Sequence, residues 1–338
     1  MQVSARPRWF GIDVSKATFD IALPPGASRK APHRKFPRTQ QGCRDCLGWM
    51  EDHLSPGDIP SLVMEATGGY SREMAKWFLV FGKGLRISIA QPFRVHYFAK
   101  GFGLGNKTDA QDAVMLARFG EVHNPPPYAP RSAAYEQLRA LTRERAALIK
   151  ASVALGNRNE IASESEVAQA VRERMMAYHE QAVADLNEAI AGLIAGEAEL
   201  ARDAKRLQTA PGVGPVVAAT LMGELGDLRD YAHPKALTAF TGVAPSLRNS
   251  GTSVHEAAHM TKHGSGHVRQ VLYLAAMASI RGENTLAQSY EHLLSEGKEP
   301  MVALGAIMRK LLVLCRALLV YEQDYDPKFV RSAPPIES

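Results

Sequence analysis

Cysteine is scarce in this 338-residue chain, which has only Cys43, Cys46 and Cys315. Three thiols cannot build a disulfide framework, so a cross-linked secreted scaffold is excluded and a reducing cytoplasm is expected. One Cys-x-x-Cys without a second ligand pair also falls short of a zinc motif, and Cys43 and Cys46 are read as helix surface and core. Long apolar runs are missing as well. The most apolar stretch, Met301 to Val320, is interrupted by Arg309, Lys310 and Arg316, which predicts a packed amphipathic helix and no membrane span. The opening residues do not have the pattern of a secretory leader. Neither sign of charge dominates: 40 Lys and Arg against 35 Asp and Glu leave a net charge of +5 and a pI near 9.0. A polyanion would therefore be gripped by local patches. The Gly-rich turn at 211–215 is not followed by Gly-Lys-Ser/Thr, so a P-loop is excluded. With 46% hydrophobic and 22% charged residues, the chain is long enough for two domains with real cores.

What the chain does have is acid in three short contexts. Asp13 lies in Phe10-Gly11-Ile12-Asp13-Val14-Ser15-Lys16, Glu65 in Leu62-Val63-Met64-Glu65-Ala66-Thr67-Gly68-Gly69, and Asp109 and Asp112 stand three residues apart. Asp13 follows an apolar run and precedes Thr18 to Leu23, whose alternation predicts a half-buried strand, so the acid is placed on the first strand of a hairpin. Glu65 ends a second apolar run, and Gly68-Gly69 allows a tight turn into a helix from about Glu73 to Phe81. Asp109 and Asp112 open a helix and share one of its faces; helix capping and the helix dipole would also suit them. Brought together, four such oxygen donors suit Mg²⁺ or Mn²⁺, and two ions roughly 3.5–4 Å apart can promote phosphodiester chemistry.

Strand-like and helix-like runs alternate over residues 5–125, including a strand at Leu85 to Ala90, as in an α/β domain. The segment Asn124-Pro125-Pro126-Pro127-Tyr128-Ala129-Pro130 reads as a stiff connector. Residues 126–207 then form connector and helical hairpin, almost without Gly or Pro after Ser132, bending at 156–166. Leu186, Leu193, Leu200 and Leu207 recur every seven residues, with Val171, Met175 and Tyr178 upstream, as a coiled-coil seam for a partner helix. A mostly α domain at 208–325 opens with Pro211-Gly212-Val213-Gly214-Pro215, which resembles a helix-hairpin-helix turn. Its backbone N–H groups could meet a phosphate, or its glycines could serve only a tight turn.

Two further patterns stand in the sequence. His255-Glu256-Ala257-Ala258-His259, followed by His263 and His267, matches H-E-x-x-H, but the glycines at 251, 264 and 266 leave too little helix for a zinc protease. Arg29, Lys30, Arg34, Lys35, Arg38 and Arg44 form an acid-free basic run, read either as an exposed loop gripping phosphates or as a solvated loop.

Taken in order, the acids, the Pro-Gly-Val-Gly turn, Gly242-Val243-Ala244-Pro245, Ser250-Gly251 and Thr261-Lys262-His263-Gly264 resemble the DEDD transposases of bacterial insertion sequences, the IS-one-ten family. The resemblance covers most of the chain. It implies an RNase H-like, RuvC-like N-terminal domain whose metal ligands are Asp13, Glu65, Asp109 and Asp112, and a C-terminal transposase domain with an essential serine, most like Ser250. Ser246, Ser253 and Ser265 stand close by as alternatives. It further implies strand cleavage and rejoining through a 5′-phosphoserine, donor and target DNA, a structured bridge RNA as guide, and dimers pairing into tetramers. Contacts to nucleic acid are expected at Arg34, Lys35, Lys107, Gly212, Val213, Gly214, Lys262 and Arg269, in a bacterial cytoplasm near the nucleoid. A RuvC-like nuclease using metal-activated water and a non-catalytic nucleic-acid scaffold are the competing expectations.

Overall fold

The computed structural model describes residues 6–25, 31–102, 108–159, 165–246, 249–250, 254–255 and 259–327. The chain divides into two compact units, Met1–Pro130 and Arg131–Ser338.

The first unit is built on β1 (Arg6–Val14), β2 (Thr18–Ala22), β3 (His33–Pro37), α1 (Gln40–Glu51), β4 (Asp58–Glu65), α2 (Tyr70–Phe81), β5 (Arg86–Ala90), α3 (Pro92–Gly101) and α4 (Asp109–His123). Its strands form a five-stranded mixed sheet in the order β3-β2-β1-β4-β5. β1 pairs antiparallel with β2, and β4 runs parallel to both β1 and β5. The hairpin turn is held by Ser15, whose N–H and Oγ both donate to the Thr18 carbonyl. Period-two alternation along β1 sends Phe10, Ile12 and Val14 into a core with α1 and α2, and Trp9 into a second core with Val95 and Phe119. The sheet is therefore covered on both faces, and β2 is buried along nearly its whole length instead of the expected half. Cys43 and Cys46 both point inward from α1.

The proline-rich connector is pinned to the edge of this sheet. Ser88 Oγ and Arg86 Nη2 donate to the Pro125 carbonyl, at 3.1 and 2.7 Å, and the Tyr128 N–H donates to the Ile87 carbonyl. It thus occupies hydrogen-bonding groups on β5 that an unpaired edge would expose.

The second unit is almost entirely helical. It begins with α5 (Ala133–Asn159), α6 (Glu166–Gly196), α7 (Ala198–Leu207), α8 (Pro215–Leu225) and α9 (Pro234–Thr241). Four two-residue strands follow, β6 (Pro245–Ser246), β7 (Asn249–Ser250), β8 (Val254–His255) and β9 (His259–Met260), then α10 (Gly266–Ser279), α11 (Thr285–Ser295) and α12 (Pro300–Val320). Arg145 Nε donates to Asn187 Oδ1 and Arg172 Nη1 to the Arg158 carbonyl, which sets α5 and α6 antiparallel. α5 crosses α8 at Gly223, where an added Cβ would stand 2.8 Å from the Arg139 nitrogen. Beside that crossing the buried Glu224 carboxylate receives Arg143 and lies 3.5 Å from Arg139 Nε.

The leucine repeat divides between two helices. The chain leaves the helical conformation at Glu197, and Leu200 and Leu207, 3% and 0% exposed, turn into this unit's own core. Those two leucines are not a seam for a partner, because the break rotates α7 away from the line of α6. α12 packs through Leu304, Ile307, Leu311 and Leu318. Among the described residues, no helix is long and apolar enough to cross a membrane.

Candidate active site

α4 lies against β1 because glycine removes two side chains from the contact. Trp9, Gly11 and Asp13 alternate onto one face of β1. A Cβ at Gly120 would stand 2.7 Å from the Trp9 ring, and one at Gly11 would stand 2.0 Å from the Ala113 carbonyl oxygen. The helix is therefore seated along the strand, and its opening residues, Asp109 and Asp112, come close enough to Asp13 to act on its charge. Thr108 performs the capping, accepting from the Gln111 N–H at 3.3 Å, so the two acids are not consumed as caps.

The sheet register adds two more carboxylates to that face. Asp20 stands directly across from Asp13 on β2. On β4 the register Ile12↔Met64 makes Glu65 the next residue beside Asp13, one strand spacing of roughly 4.8 Å away. Burial, followed by the charges of Asp112, Asp109 and Asp20, pushes the Asp13 carboxyl from 3.8 to about 6, against a backbone hydrogen bond at Val14. Asp20 is buried with two partners: His33 Nε2 lies 2.6 Å from Oδ1 and Lys35 Nζ 3.2 Å from Oδ2. Lys35 Nζ also lies 3.3 Å from Asp109 Oδ2, and its pKa is raised by its bonds to Asp20 and Asp109. The sequence reasoning missed Asp20. The signal was available in the hairpin, since a short turn fixes which β2 residue faces Asp13.

Carboxylate oxygens from Asp13, Glu65, Asp109 and Asp112 would suit a hard divalent cation by donor type, and the charges of Asp112, Asp109 and Asp20 act on Asp13. Among the described residues, however, no three acidic, histidine or cysteine side chains are grouped closely enough to enclose an ion. A lysine ammonium already offsets part of the negative charge from between Asp20 and Asp109.

In the second unit, Ser250 lies on a narrow antiparallel ribbon. Pro245 pairs with Met260 and Ser246 with His259, and further out Asn249 pairs with His255 and Ser250 with Val254. The base of the ribbon explains two sequence motifs. Gly242 adopts φ +73°, an added Cβ there would stand 2.7 Å from the Gly264 nitrogen, and one on Gly264 would stand 2.3 Å from the Phe240 carbonyl oxygen. The two backbones touch, so only glycines fit. Arg269 Nη1 ties the junction, donating to the carbonyls of Gly264 and Thr241 at 2.7 and 3.3 Å. Ser265 is occupied as well: its Oγ donates to Glu224 Oε2 and accepts from the Val268 N–H at the start of α10. In the H-E-x-x-H match His255 lies on β8 and His259 on β9, so neither histidine is on a helix. Ser253 lies outside the described residues.

Several residues expected to meet nucleic acid serve the protein itself. Lys35 is engaged by Asp20 and Asp109, and of the described residues of the basic run Arg34 and Lys35 lie on edge strand β3, Arg38 follows it and Arg44 lies on α1. Arg34 is exposed on that edge, 5.2 Å from the Phe36 ring. Arg38 is paired with Glu73, and Arg44 lies 4.1 Å from the Phe81 ring. Arg29, Lys30 and Lys107 lie outside the described residues. Gly212, at φ +79°, presses on α10, where a Cβ would stand 2.1 Å from the Ala275 carbonyl, and Val213 is core. Of Gly212, Val213 and Gly214, it is Gly214, the residue capping α8, that has open space where a Cβ would stand. Arg269 is the clamp just described. Lys262 remains exposed, in the left-handed conformation at φ +57°.

A mixed sheet with acids at the ends of two neighbouring parallel strands, beneath the first turn of a helix, is compatible with an RNase H-like α/β domain. A transposase model of the DEDD IS110 type matches residues 10–161, and the model described as transposase IS116/IS110/IS902 family matches 204–291. The chain belongs to this IS110/IS116 family of insertion-sequence transposases. It is 29% identical over 321 residues to the pilin gene-inverting protein of Moraxella bovis, covering 95% of this chain and 98% of that protein. The pilin gene-inverting protein of Moraxella lacunata is 28% identical with the same coverage. The transposase for insertion sequence element IS1111A of Coxiella burnetii is 23% identical over 255 residues, 66% of each chain. At the general level of the family, the activity is DNA transposition and recombination.

Proposed function

We propose that this chain breaks and rejoins DNA strands by transesterification, with Asp13, Glu65, Asp109 and Asp112 holding Mg²⁺ or Mn²⁺ and Ser250 as nucleophile. The observation that carries the reading is the convergence of Asp109 and Asp112 on a half-buried Asp13, whose carboxyl is pushed up to about 6 by its burial and then by their charges. A bound divalent cation would stabilise the negative charge that gathers on the phosphate under attack.

The chain's own residues do the rest. Gly11 and Gly120 seat α4 so that its acids approach Asp13. The ribbon presents the Ser250 segment on a base fixed by two glycines and Arg269. Ser250 Oγ bonds to phosphorus as the P–O3′ bond breaks, the serine proton is released and the leaving 3′ oxygen takes one up. One phosphoester replaces another, so the free 3′-hydroxyl can later reverse the step and rejoin DNA. A structured bridge RNA pairing with donor and target DNA, and an even-numbered homo-oligomer, belong to the same proposal and rest on the likeness in motif order.

The test is to incubate the protein with labelled DNA, Mg²⁺ and the element's RNA, then seek a protein–DNA species that survives denaturation. Ser250→Ala is expected to lose the adduct and keep DNA binding, and Asp13→Asn to lose cleavage. Cleavage persisting in Ser250→Ala would replace the proposal with a nuclease using activated water. Indifference to both substitutions would leave a nucleic-acid scaffold.

A further inference from the structure

Several arginines of the second unit are held by acids or carbonyls of their own chain. Arg229 is gripped by Asp203 at 2.7 Å and by Asp227, Arg143 by Glu224, and Arg316 by the Tyr231 carbonyl. Lys235, Arg309 and Lys310 are different. They line one cleft of about 560 Å³ between the start of α9, the middle of α12 and the head of β6, and no acid lines it with them. None of the three forms an ion pair with a described residue; Lys310 Nζ donates only to Ser289 Oγ, at 2.9 Å. The rest of the lining is mostly aliphatic, including Ala244, Pro245 and Val313. Pro245 also begins the ribbon on which Ser250 lies.

Cations around an aliphatic floor match a ligand that offers phosphates and exposed flat faces together. A duplex directs its phosphates outward and keeps its bases stacked, so it would meet the cations and leave the floor wet. A single strand offers both. The volume lies within the roughly 300–1,000 Å³ typical of sites that enclose a compact ligand, enough for a nucleotide and part of its neighbour. We propose that this cleft receives an unpaired segment of DNA next to the strand delivered to Ser250, an inference that rests on the nucleic-acid reading above but does not require the serine step.

The test uses the full chain and a fluorescent oligothymidylate of about 12 nucleotides, within the site sizes such surfaces take. Affinity is measured by anisotropy across a salt series without Mg²⁺, so no cleavage enters. The triple variant Lys235→Ala/Arg309→Ala/Lys310→Ala is expected to lower the slope of log K against log salt by about 2, at about 0.7 for each lost phosphate contact, and to weaken binding at least about tenfold at low salt. The three-fold conservative variant, Lys235→Arg/Arg309→Lys/Lys310→Arg, should keep the slope. In the unmodified protein, 4-thiothymidine is expected to photo-crosslink to the peptides bearing Pro245 or Val313. An unchanged slope in a folded triple variant, or crosslinks confined to other peptides, would overturn the proposal. So would a triple variant that alters only self-association, which would assign the cleft to an acidic segment of a second copy. Ser250→Ala should bind with the unmodified slope, which keeps failure of the serine chemistry separate from failure of the cleft.

Discussion

Replacing Asp13 by Asn should make the metal-free protein more stable above pH 6. The folded carboxyl titrates near 6 against 3.8 unperturbed. A raised carboxyl means that the folded state resists ionisation. The stability is fully present below the unfolded value near 3.8, erodes as the pH rises, and is wholly lost above the folded value near 6. The upper bound of that loss is about 3 kcal/mol, from roughly two units at about 1.4 kcal/mol each. Asp13 is only half-buried, so solvent screening reduces the expected figure to about 1–2 kcal/mol. Asn keeps the size and an oxygen that can accept the Val14 backbone hydrogen bond. Thermal unfolding in EDTA at pH 8 should therefore place Asp13→Asn above the parent by roughly 3–8 °C in the transition of the first unit. The gap should close near pH 4. Millimolar Mg²⁺ should raise the parent, by about 2.7 kcal/mol if the ion reaches a hundredfold its dissociation constant, and leave the variant little changed. If Asp13→Asn is no more stable than the parent at pH 8, or the gap does not shrink in acid, the account of a strained acidic cluster is wrong.

Gly11→Ala should cost about 1–3 kcal/mol or more in urea unfolding, because the methyl meets the Ala113 carbonyl and α4 must move, and Mg²⁺ should stabilise the variant less than the parent. Glu224→Gln should destabilise the second unit by about 2–4 kcal/mol by leaving Arg139 and Arg143 without their shared carboxylate. Burial alone would raise the Glu224 pKa, but the Arg143 hydrogen bond and the charges of Arg139, Arg143 and His267 together hold it below 4.5. Its stabilisation is thus present above 4.5 and lost as the pH falls through the lower folded value, so the gap to Gln should narrow in acid. Ser265→Ala should lose about 1 kcal/mol of helix capping and still form the protein–DNA adduct, in contrast to Ser250→Ala. Leu207→Ala should cost about 2–5 kcal/mol while sedimentation shows the same oligomeric state, since that leucine fills its own core.

The acidic face was legible because each acid sits at a boundary that local chemistry defines. Apolar runs end at Asp13 and Glu65, and Thr108 marks the start of α4. The roles of the cations were not legible, since a run of Lys and Arg has the same composition in a loop and along an edge strand, and only register shows that Lys35 crosses to Asp20 and Asp109. A heptad count likewise ignores a broken helix: Leu200 and Leu207 keep the spacing, but the change of direction at Glu197 sends them inward. Gly212 reads as a turn residue, Gly264 as a helix breaker and Gly242 as part of a motif, and their need for contact with backbones far along the chain has no local trace.

The seating of α4 on β1 works as a ruler. Gly120 must meet Trp9 while Asp112 and Asp109 reach Asp13, so the number of residues between the glycine notch and the acids is fixed by the helix pitch. One inserted residue anywhere between Asp112 and Gly120 would swing both carboxylates by about 100° and advance them by about 1.5 Å. Such an insertion could leave the hydrophobic content untouched and still dismantle the acidic face, whereas residues added before Thr108 would leave that measured interval intact.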